Sequence, residues 1–374
     1  MKTYRAAIIG CGWRSTGLYG GWRERFGPSS RLAKYPFSHA QGFVESARTE
    51  FVAASDFQQE TLDRVQKDYE VPAEHLYTDF REMIEKEKPD IISIGTQQEQ
   101  RAEITIYAAE AGVKAIYAEK PMTSSLAEAE AMAEAVERNG VAFNLGTNRR
   151  WSPGYETARD LANGGEYGDL KTIITYNMDP IFISGSHWFD LINFLNCDRR
   201  AVSVQATLTQ GGDKFVGDVM TVDPGGHGVV QYENGVTAYC LTTPRGSEQE
   251  VICEGGAIYM VGNGSEWYLR RLGKHADPGK AGPGSREEFP DFEATSATLA
   301  IIEELVNALD TGDPTTRGGV RQAQASNELI FAFMESHRRG GQHVELPLKS
   351  NLRLQRDFDP QSEEYRPDKI RKVK

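Results

Sequence analysis

The feature that most narrows what this chain can become is a β-branched run, Tyr4–Gly10, that closes on Ile8-Ile9-Gly10-Cys11-Gly12. A strand ending in Gly-x-Gly turns tightly at its first glycine and leaves the backbone bare at its second. Alone, such a motif is only a turn. Its weight comes from the rhythm of the next 130 or so residues. Short apolar runs at Phe51–Asp56, Asp90–Thr96, Lys114–Glu119 and Val141–Leu145, with a weaker one near Leu76, read as strands. Between them Glu60–Asp68, Asp79–Glu87, Gln100–Ala111 and Ser125–Arg138 carry helical periodicity, with Ser124 or Ser125 placed to cap the last. This alternation predicts a parallel sheet with crossover helices.

After Asn148-Arg149-Arg150-Trp151-Ser152-Pro153 the pattern changes. Helices are expected over Gly154–Ala162 and His187–Leu195, with a strand at Leu170–Asn177 between them. From residue 201 strands succeed one another at Ala201–Leu208, Gly228–Tyr232, Val236–Leu241, Glu250–Cys253, Ala257–Val261 and Trp267–Arg271. Glu233-Asn234-Gly235 suits a hairpin turn that demands positive φ. Leu272–Gly284, rich in Gly, Pro and Lys, reads as a surface loop, and helices come next at Ser296–Asp310 and Gly318–Arg338. The expected fold class is α/β: an N-terminal parallel sheet over residues 1–147, then an α+β domain with an open, mainly antiparallel sheet over 148–350. A charged C-terminal arm is expected over 351–374.

At 374 residues the chain is too long for one ordinary core. A net charge of −12 argues against general affinity for nucleic acid. No stretch is apolar enough to span a membrane, the start does not read as a secretory signal, and the four cysteines lack metal-ligand spacing. A cytoplasmic protein without a metal site is expected.

Gly10 and Gly12 fit the dinucleotide-binding, Rossmann fingerprint, although its third position falls on Ser15. Asp56 ends the second strand, where a carboxylate would accept hydrogen bonds from the adenosine ribose. It would repel a 2′-phosphate, so NAD is the expected cofactor. The separation from the glycines exceeds the usual spacing because of an insert, Trp13–Pro36. This holds Arg14, Arg23, Arg25, Arg31 and Lys34, one acid (Glu24), and the rings of Trp13, Tyr19, Trp22, Phe26 and Tyr35. It would either cover the cofactor or pack on a partner subunit. Arg14 is the residue best placed for a phosphate contact.

By Ala118-Glu119-Lys120-Pro121 the chain resembles the glucose-fructose oxidoreductase / inositol dehydrogenase (Gfo/Idh/MocA) family. Ala53-Ala54-Ser55-Asp56, Lys88-Pro89-Asp90, Asn148-Arg149-Arg150-Trp151, His187 with Asp190, and Tyr232-Glu233-Asn234-Gly235-Val236 stand in the same order. The resemblance implies substrate held between a Rossmann domain and a sheet domain, oxidation of a secondary alcohol of a sugar or cyclitol with NAD(P), and a homodimer or homotetramer built through the sheet. Carried over by position, Glu119 would bind the nicotinamide-side ribose, and Lys120 would reach that ribose and the reacting hydroxyl. Thr96, with Gln97 and Gln98 after it, would lie near the nicotinamide.

His187 matches the family's catalytic histidine, suited to proton transfer by an ordinary pKa near 6.5. Asp190, one turn later, would orient the imidazole or the substrate. Two departures stand out. Ile183 occupies the position of an aspartate in inositol-type dehydrogenases, so His187 would act alone or Asp179 would reach in. Arg101 stands where a histidine is common. Arg149, Arg150 and Trp151 would contact substrate or fix the domain junction. Two other activities remain open: a glycoside-processing enzyme that recycles bound NAD, and a non-catalytic sensor of the same fold.

Overall fold

The computed structural model describes residues 2–17, 36–176, 178–243, 245–274 and 281–355, with the side chains of 274 and 281 left aside. Six parallel strands form the first layer: β1 (Tyr4–Ile9), β2 (Thr49–Ser55), β3 (Leu76–Tyr77), β4 (Ile91–Ile94), β5 (Ala115–Ala118) and β6 (Ala142–Leu145). Their order is β3-β2-β1-β4-β5-β6, so the direction of winding reverses between β1 and β4. In open sheets of this kind the crevice at that reversal, beyond the carboxyl ends of the strands, is where ligands bind.

The strands of the first layer are buried on both faces; all residues of β4, β5 and β6 are buried, as the continuous apolar runs require. Around them lie α1 (Trp13–Thr16), α2 (His39–Glu45), α3 (Gln59–Tyr69), α4 (Phe80–Glu87), α5 (Gln98–Glu110) and α6 (Leu126–Arg138). Ser38 and Gln41 close a capping box at the start of α2, and Ser125 caps α6 by accepting from the Glu128 amide.

The second layer begins with α7 (Pro153–Asn163), β7 (Leu170–Tyr176) and α8 (Gly185–Leu195). Then come β8 (Ala201–Leu208), the short β9 (Phe215–Val216) and β10 (Val219–Met220), β11 (Gly226–Tyr232), β12 (Thr237–Leu241), β13 (Gln249–Cys253), β14 (Gly256–Val261), β15 (Glu266–Lys274) and β16 (Ala281–Glu288). With β17 (Val344–Glu345) all of these but β9 and β10 build a nine-stranded sheet of order β16-β15-β14-β13-β7-β12-β11-β8-β17. Every pairing is antiparallel except β7 with β12. The expected hairpin joins β11 to β12, with positive φ at Gly235 alone. Ala238, Cys240, Ile173, Val251 and Ile258 point inward to the helices, while the opposite face carries Tyr239, Ile174, Tyr259 and Tyr268.

Three expectations need correction. Residues 272–274 and 281–284 are strand, because β15 and β16 continue as a ribbon through most of the stretch read as a loop. Glycine and proline at an edge ribbon mimic a loop in sequence. The start of the charged arm is core: Leu352 and Leu354 are fully buried, and β18 (Arg353–Leu354) pairs with β10. The rest of the arm, from 356, lies outside the described residues. Finally, a cut at residue 147 does not divide the molecule in space. Helix α9 (Ala297–Thr311) returns to the first layer, where Ile301, Ile302, Leu305 and Val306 pack with Ile8, Phe43 and Tyr117. Helix α10 (Val320–Arg338) then lies between the layers, against β8, α8 and α6.

Candidate active site

β1 delivers Gly10 to the switch point with φ +81°, where a Cβ would sit 2.8 Å from both the Thr96 amide nitrogen and its Cγ2. Only glycine fits. At Gly12 a Cβ would meet nothing within 4 Å, so the backbone is open to an incoming group. Ser15, in the third fingerprint position, is fully buried, and the close approach between helix and sheet is made from the other side. A Cβ on Gly95 would lie 1.7 Å from Ser15 Oγ. The fingerprint's small residue has moved from helix to strand end.

Asp56 ties this turn to β2. Its carboxylate accepts from the amides of Cys11 at 2.8 Å and Gln58 at 2.9 Å. Burial raises its pKa above the ordinary value, and the two amides offset only part of that rise. A cavity of about 540 Å³ runs past Gly10, Gly12, Asp56 and Thr96. It shares Trp13, Arg14, Gly95, Thr96 and Gln97 with a second cavity of about 520 Å³, so the two form one groove. The second cavity takes in Gln98, Arg101, Glu119, Lys120, Arg149 and His187, and its far wall comes from the sheet domain.

At the bend of the groove, Glu119 Oε1 accepts from Arg14 Nε at 3.0 Å and meets His39 Nε2 at 3.1 Å. Burial alone would raise the Glu119 carboxyl. The His39 hydrogen bond with the charges of Arg14 and Lys120 outweighs it and holds the group well below the carboxylate range. Arg14 therefore sits at Glu119, with further bonds to Tyr117 and Thr298, and also lines the first cavity with Gly10 and Gly12. His39 is fully buried, stacked on Tyr117 at 3.9 Å and hydrogen-bonded to Ser93. Nothing local in the sequence marks it as part of the site; only its place at the start of the helix after the insert could have pointed there.

Lys120 Nζ donates to the carbonyl of Ile183 at 2.9 Å. The residue standing in the family's aspartate position thus contributes its backbone, while its own amide and that of Phe182 bind Asp223 at 3.0 and 2.9 Å. Burial pushes the Lys120 ammonium down to about 8, helped by Arg101, Arg149 and Arg14 and opposed by Glu119. His187 is held well below its ordinary pKa, by burial first and then by Lys120 and Arg149. Its Nδ1 finds no hydrogen-bond partner among the described residues. Arg101 is locked beneath the site by bonds to the carbonyls of Pro121 and Thr96.

Asp190 does not serve His187. Its Oδ1 accepts from Arg150 Nε at 2.7 Å in a pair buried on both sides, and Asp198 takes the rest of that guanidinium at 2.7 and 2.8 Å. The side chain turns from the cavity into the layer junction, so the expectation that it orients the imidazole is corrected. Asp179 does not line the cavity either; its carboxylate lies against Gly225. Of the consecutive arginines, Arg149 faces the cavity and Arg150 the core, with Trp151 donating to Glu304 at 3.0 Å. Sequence reasoning missed Tyr155, Asn263, Trp267 and Phe292, which reach the cavity from α7, the β14–β15 turn, β15 and the segment before α9. From the insert, residues 18–35 lie outside the described residues.

The residues present fit a dinucleotide: an open glycine turn, a carboxylate at the end of β2, and, along the groove, a buried Thr96 hydroxyl without a hydrogen-bond partner among the described residues. Among the described residues no group of three or more His, Cys, Asp or Glu is arranged to hold a metal. No described helix is long and apolar enough to cross a membrane.

Fold and groove together define a dinucleotide-binding α/β domain facing a sheet domain. Residues 4–147 match the Gfo/Idh/MocA family model, described as oxidoreductase family, NAD-binding Rossmann fold. A D-apiose dehydrogenase of Paraburkholderia graminis is 30% identical over 168 residues, covering 45% of this chain and 38% of that protein. A scyllo-inositol 2-dehydrogenase (NAD(+)) of Bacillus subtilis is 32% identical over 138 residues, covering 37% and 40%. The matched region thus spans less than half the length of these curated relatives. The crystal structure of an aldose-aldose oxidoreductase from Caulobacter crescentus, complexed with glycerol, superposes with a TM-score of 0.72 at 20% identity. It covers 92% of this chain and 100% of that one, so the likeness of fold reaches through the sheet domain.

Proposed function

We propose that the protein is an NAD-dependent dehydrogenase oxidising a secondary alcohol of a sugar, glycoside or cyclitol. The observation that carries this reading is the convergence of Lys120, His187 and Glu119 on one cavity continuous with the glycine turn. Bound along the groove, the dinucleotide supplies a hydride acceptor at nicotinamide C4. Asp56 would hold the adenosine ribose and select against a 2′-phosphate, Glu119 would hold the nicotinamide-side ribose, and Thr96 and Gln98 would flank the ring.

Lys120, charged at neutral pH, would donate a hydrogen bond to the substrate oxygen and stabilise the alkoxide as the C–H bond breaks. His187 is kept neutral by burial and by the neighbouring cations, and so would accept the hydroxyl proton. Trp267, Phe292 and Tyr155 would shield the reacting carbon from water.

We also assign the outer face of the nine-stranded sheet, where Tyr239 is 42% exposed and Tyr259 stacks on Tyr268 at 4.6 Å, to contact with a second copy of the chain. The test of the activity is NADH formation, read at 340 nm, across a panel of sugars, glycosides and cyclitols. It should require substrate and fall by about 10²–10⁴ in His187→Ala. Conversion of a glycoside without net NADH would replace this reading with internal recycling of the cofactor. Tight NAD binding with no conversion of any kind would make the protein a sensor.

A further inference from the structure

In a chain of net charge −12, the second cavity is lined among the described residues by four cations, Arg14, Arg101, Lys120 and Arg149, against one carboxylate, Glu119. That carboxylate is already engaged by Arg14 and His39. The first cavity is the reverse, with Asp56, Asp79, Glu99 and Glu103 against Arg14 and Arg81. Dinucleotide phosphates would lie at the glycine turn, and an oxidised nicotinamide would bring a further positive charge into the second cavity. A negatively charged second ligand would compensate it.

The far wall shows where. Arg149 is held over Trp188, 4.1 Å from ring centroid to guanidinium carbon, and its Nε and Nη2 donate to Asn263 Oδ1 at 3.1 and 2.6 Å. Asn263 is itself fixed in a tight turn, with φ 56° and its amide donating to Ser247 at 2.7 Å. Arg149 makes no ion pair among the described residues. Beside it stands Tyr155, only 2% exposed, whose hydroxyl lies against Arg149 and has no well-formed hydrogen bond among the described residues although it lines the cavity. A guanidinium and a phenol, both preset by packing, meet with no acid among the described residues to receive them. Burial at this wall lowers the Arg149 pKa, and Tyr155 and Asp190 offset only part of that fall, the signature of a cation without an adjacent counter-charge.

We propose that the substrate is a sugar acid whose carboxylate is bound by Arg149 and Tyr155, with Trp267 and Phe292 against the apolar face of its ring. One guanidinium and one hydroxyl suit the two oxygens of a carboxylate; a phosphate dianion with three would need more donors than this wall presents. The inference rests on the reading of this cavity as the alcohol-oxidising site, and it names that site's substrate class.

The test is calorimetric titration of the NADH-loaded protein, in which no turnover occurs, with D-glucuronate, D-galacturonate and D-gluconate. D-glucose, D-galactose, myo-inositol and glucose 6-phosphate serve as comparisons. At least one acid should bind about 10- to 100-fold tighter than its neutral counterpart. Arg149→Gln should collapse that ratio toward one, Arg149→Lys should keep part of it, and Tyr155→Phe should reduce it several-fold. The wild-type ratio decides even where a variant fails to fold. Acids that bind no tighter than neutral sugars, a ratio unchanged in a folded Arg149→Gln, or a preference for glucose 6-phosphate over every acid would each overturn the proposal. NADH formation from neutral polyols without acid preference would do so while leaving the dehydrogenase reading in place. Acid-selective binding with no NADH formed from any alcohol would remove that reading and leave the carboxylate site standing.

Discussion

The group most exposed to test is Lys120, because its ammonium is held at about 8 rather than at the ordinary 10.4. Burial is the largest cause; Arg101, Arg149 and Arg14 add to it, and only Glu119 opposes them. With that value about ten in eleven molecules carry the charge at pH 7, and about one in eleven at pH 9. If the charged form stabilises the alkoxide, kcat/KM for the alcohol at saturating NAD runs flat up to about pH 8. Above that it falls about tenfold per pH unit. The acid side shows no limb near 6.5, because His187 is already neutral there. Lys120→Met should cost about 10²–10³ in kcat, the loss expected for one preorganised donor to a developing oxyanion. Lys120→Arg keeps a permanent charge, so it should be slower than wild type but lose the alkaline limb. The assay is the initial rate of NADH formation between pH 5.5 and 10, repeated with substrate deuterated at the reacting carbon so that the hydride step is read. A wild-type rate that climbs through pH 8 to 9 would refute the argument, since the neutral amine would then be the working form. A limb near 8 that survives in Lys120→Arg would assign the titration to another group.

Asp190→Asn should act on stability rather than chemistry, at about 3–5 kcal/mol, because it strips one partner from the buried Arg150. Urea unfolding measures it, and a variant as stable as wild type but catalytically dead would restore Asp190 to the mechanism. Asp56→Asn removes the carboxylate proposed to hold the ribose and should weaken NADH about 10- to 100-fold in fluorescence titration while narrowing the gap to NADPH. Equal wild-type affinities for the two nucleotides would contradict the role given to Asp56. Tyr239→Glu places a charge on the exposed sheet face and should shift sedimentation toward a smaller species; a wild-type monomer would exclude the assigned contact.

The first layer was legible because its strands are short apolar runs separated by amphipathic helices, a local signal with one low-energy solution. What sequence could not show is which neighbour a buried side chain meets. Asp190 comes one turn after His187, but α8 is buried almost all round, so helical spacing alone could not say that one faces the cavity and the other the core. The same limit applies to Arg149 and Arg150, adjacent in the chain and opposite in direction. Helix α9 carries an apolar pattern that would suit either layer, and only packing sends it to the first. Asn263, Trp267 and Phe292 come to the cavity from a turn, from β15 and from the segment before α9, more than a hundred residues beyond Lys120, with no motif to announce them.

The departures from the family pattern are better understood as a set than as losses. Ser15 is accommodated because Gly95 opposite it has no side chain, so the phosphate turn keeps its geometry with the small residue exchanged between partners. Ile183 accepts from Lys120 through its backbone carbonyl and brings no side-chain charge of its own. Arg101 adds a fixed cation beside the same amine, donating its hydrogen bonds to the carbonyls of Pro121 and Thr96. Removing a carboxylate and adding a guanidinium both lower the lysine pKa and both make the cavity more positive. Of these departures, Arg101 adds both to the burial that brings the Lys120 amine down and to the positive field that a negatively charged substrate would satisfy.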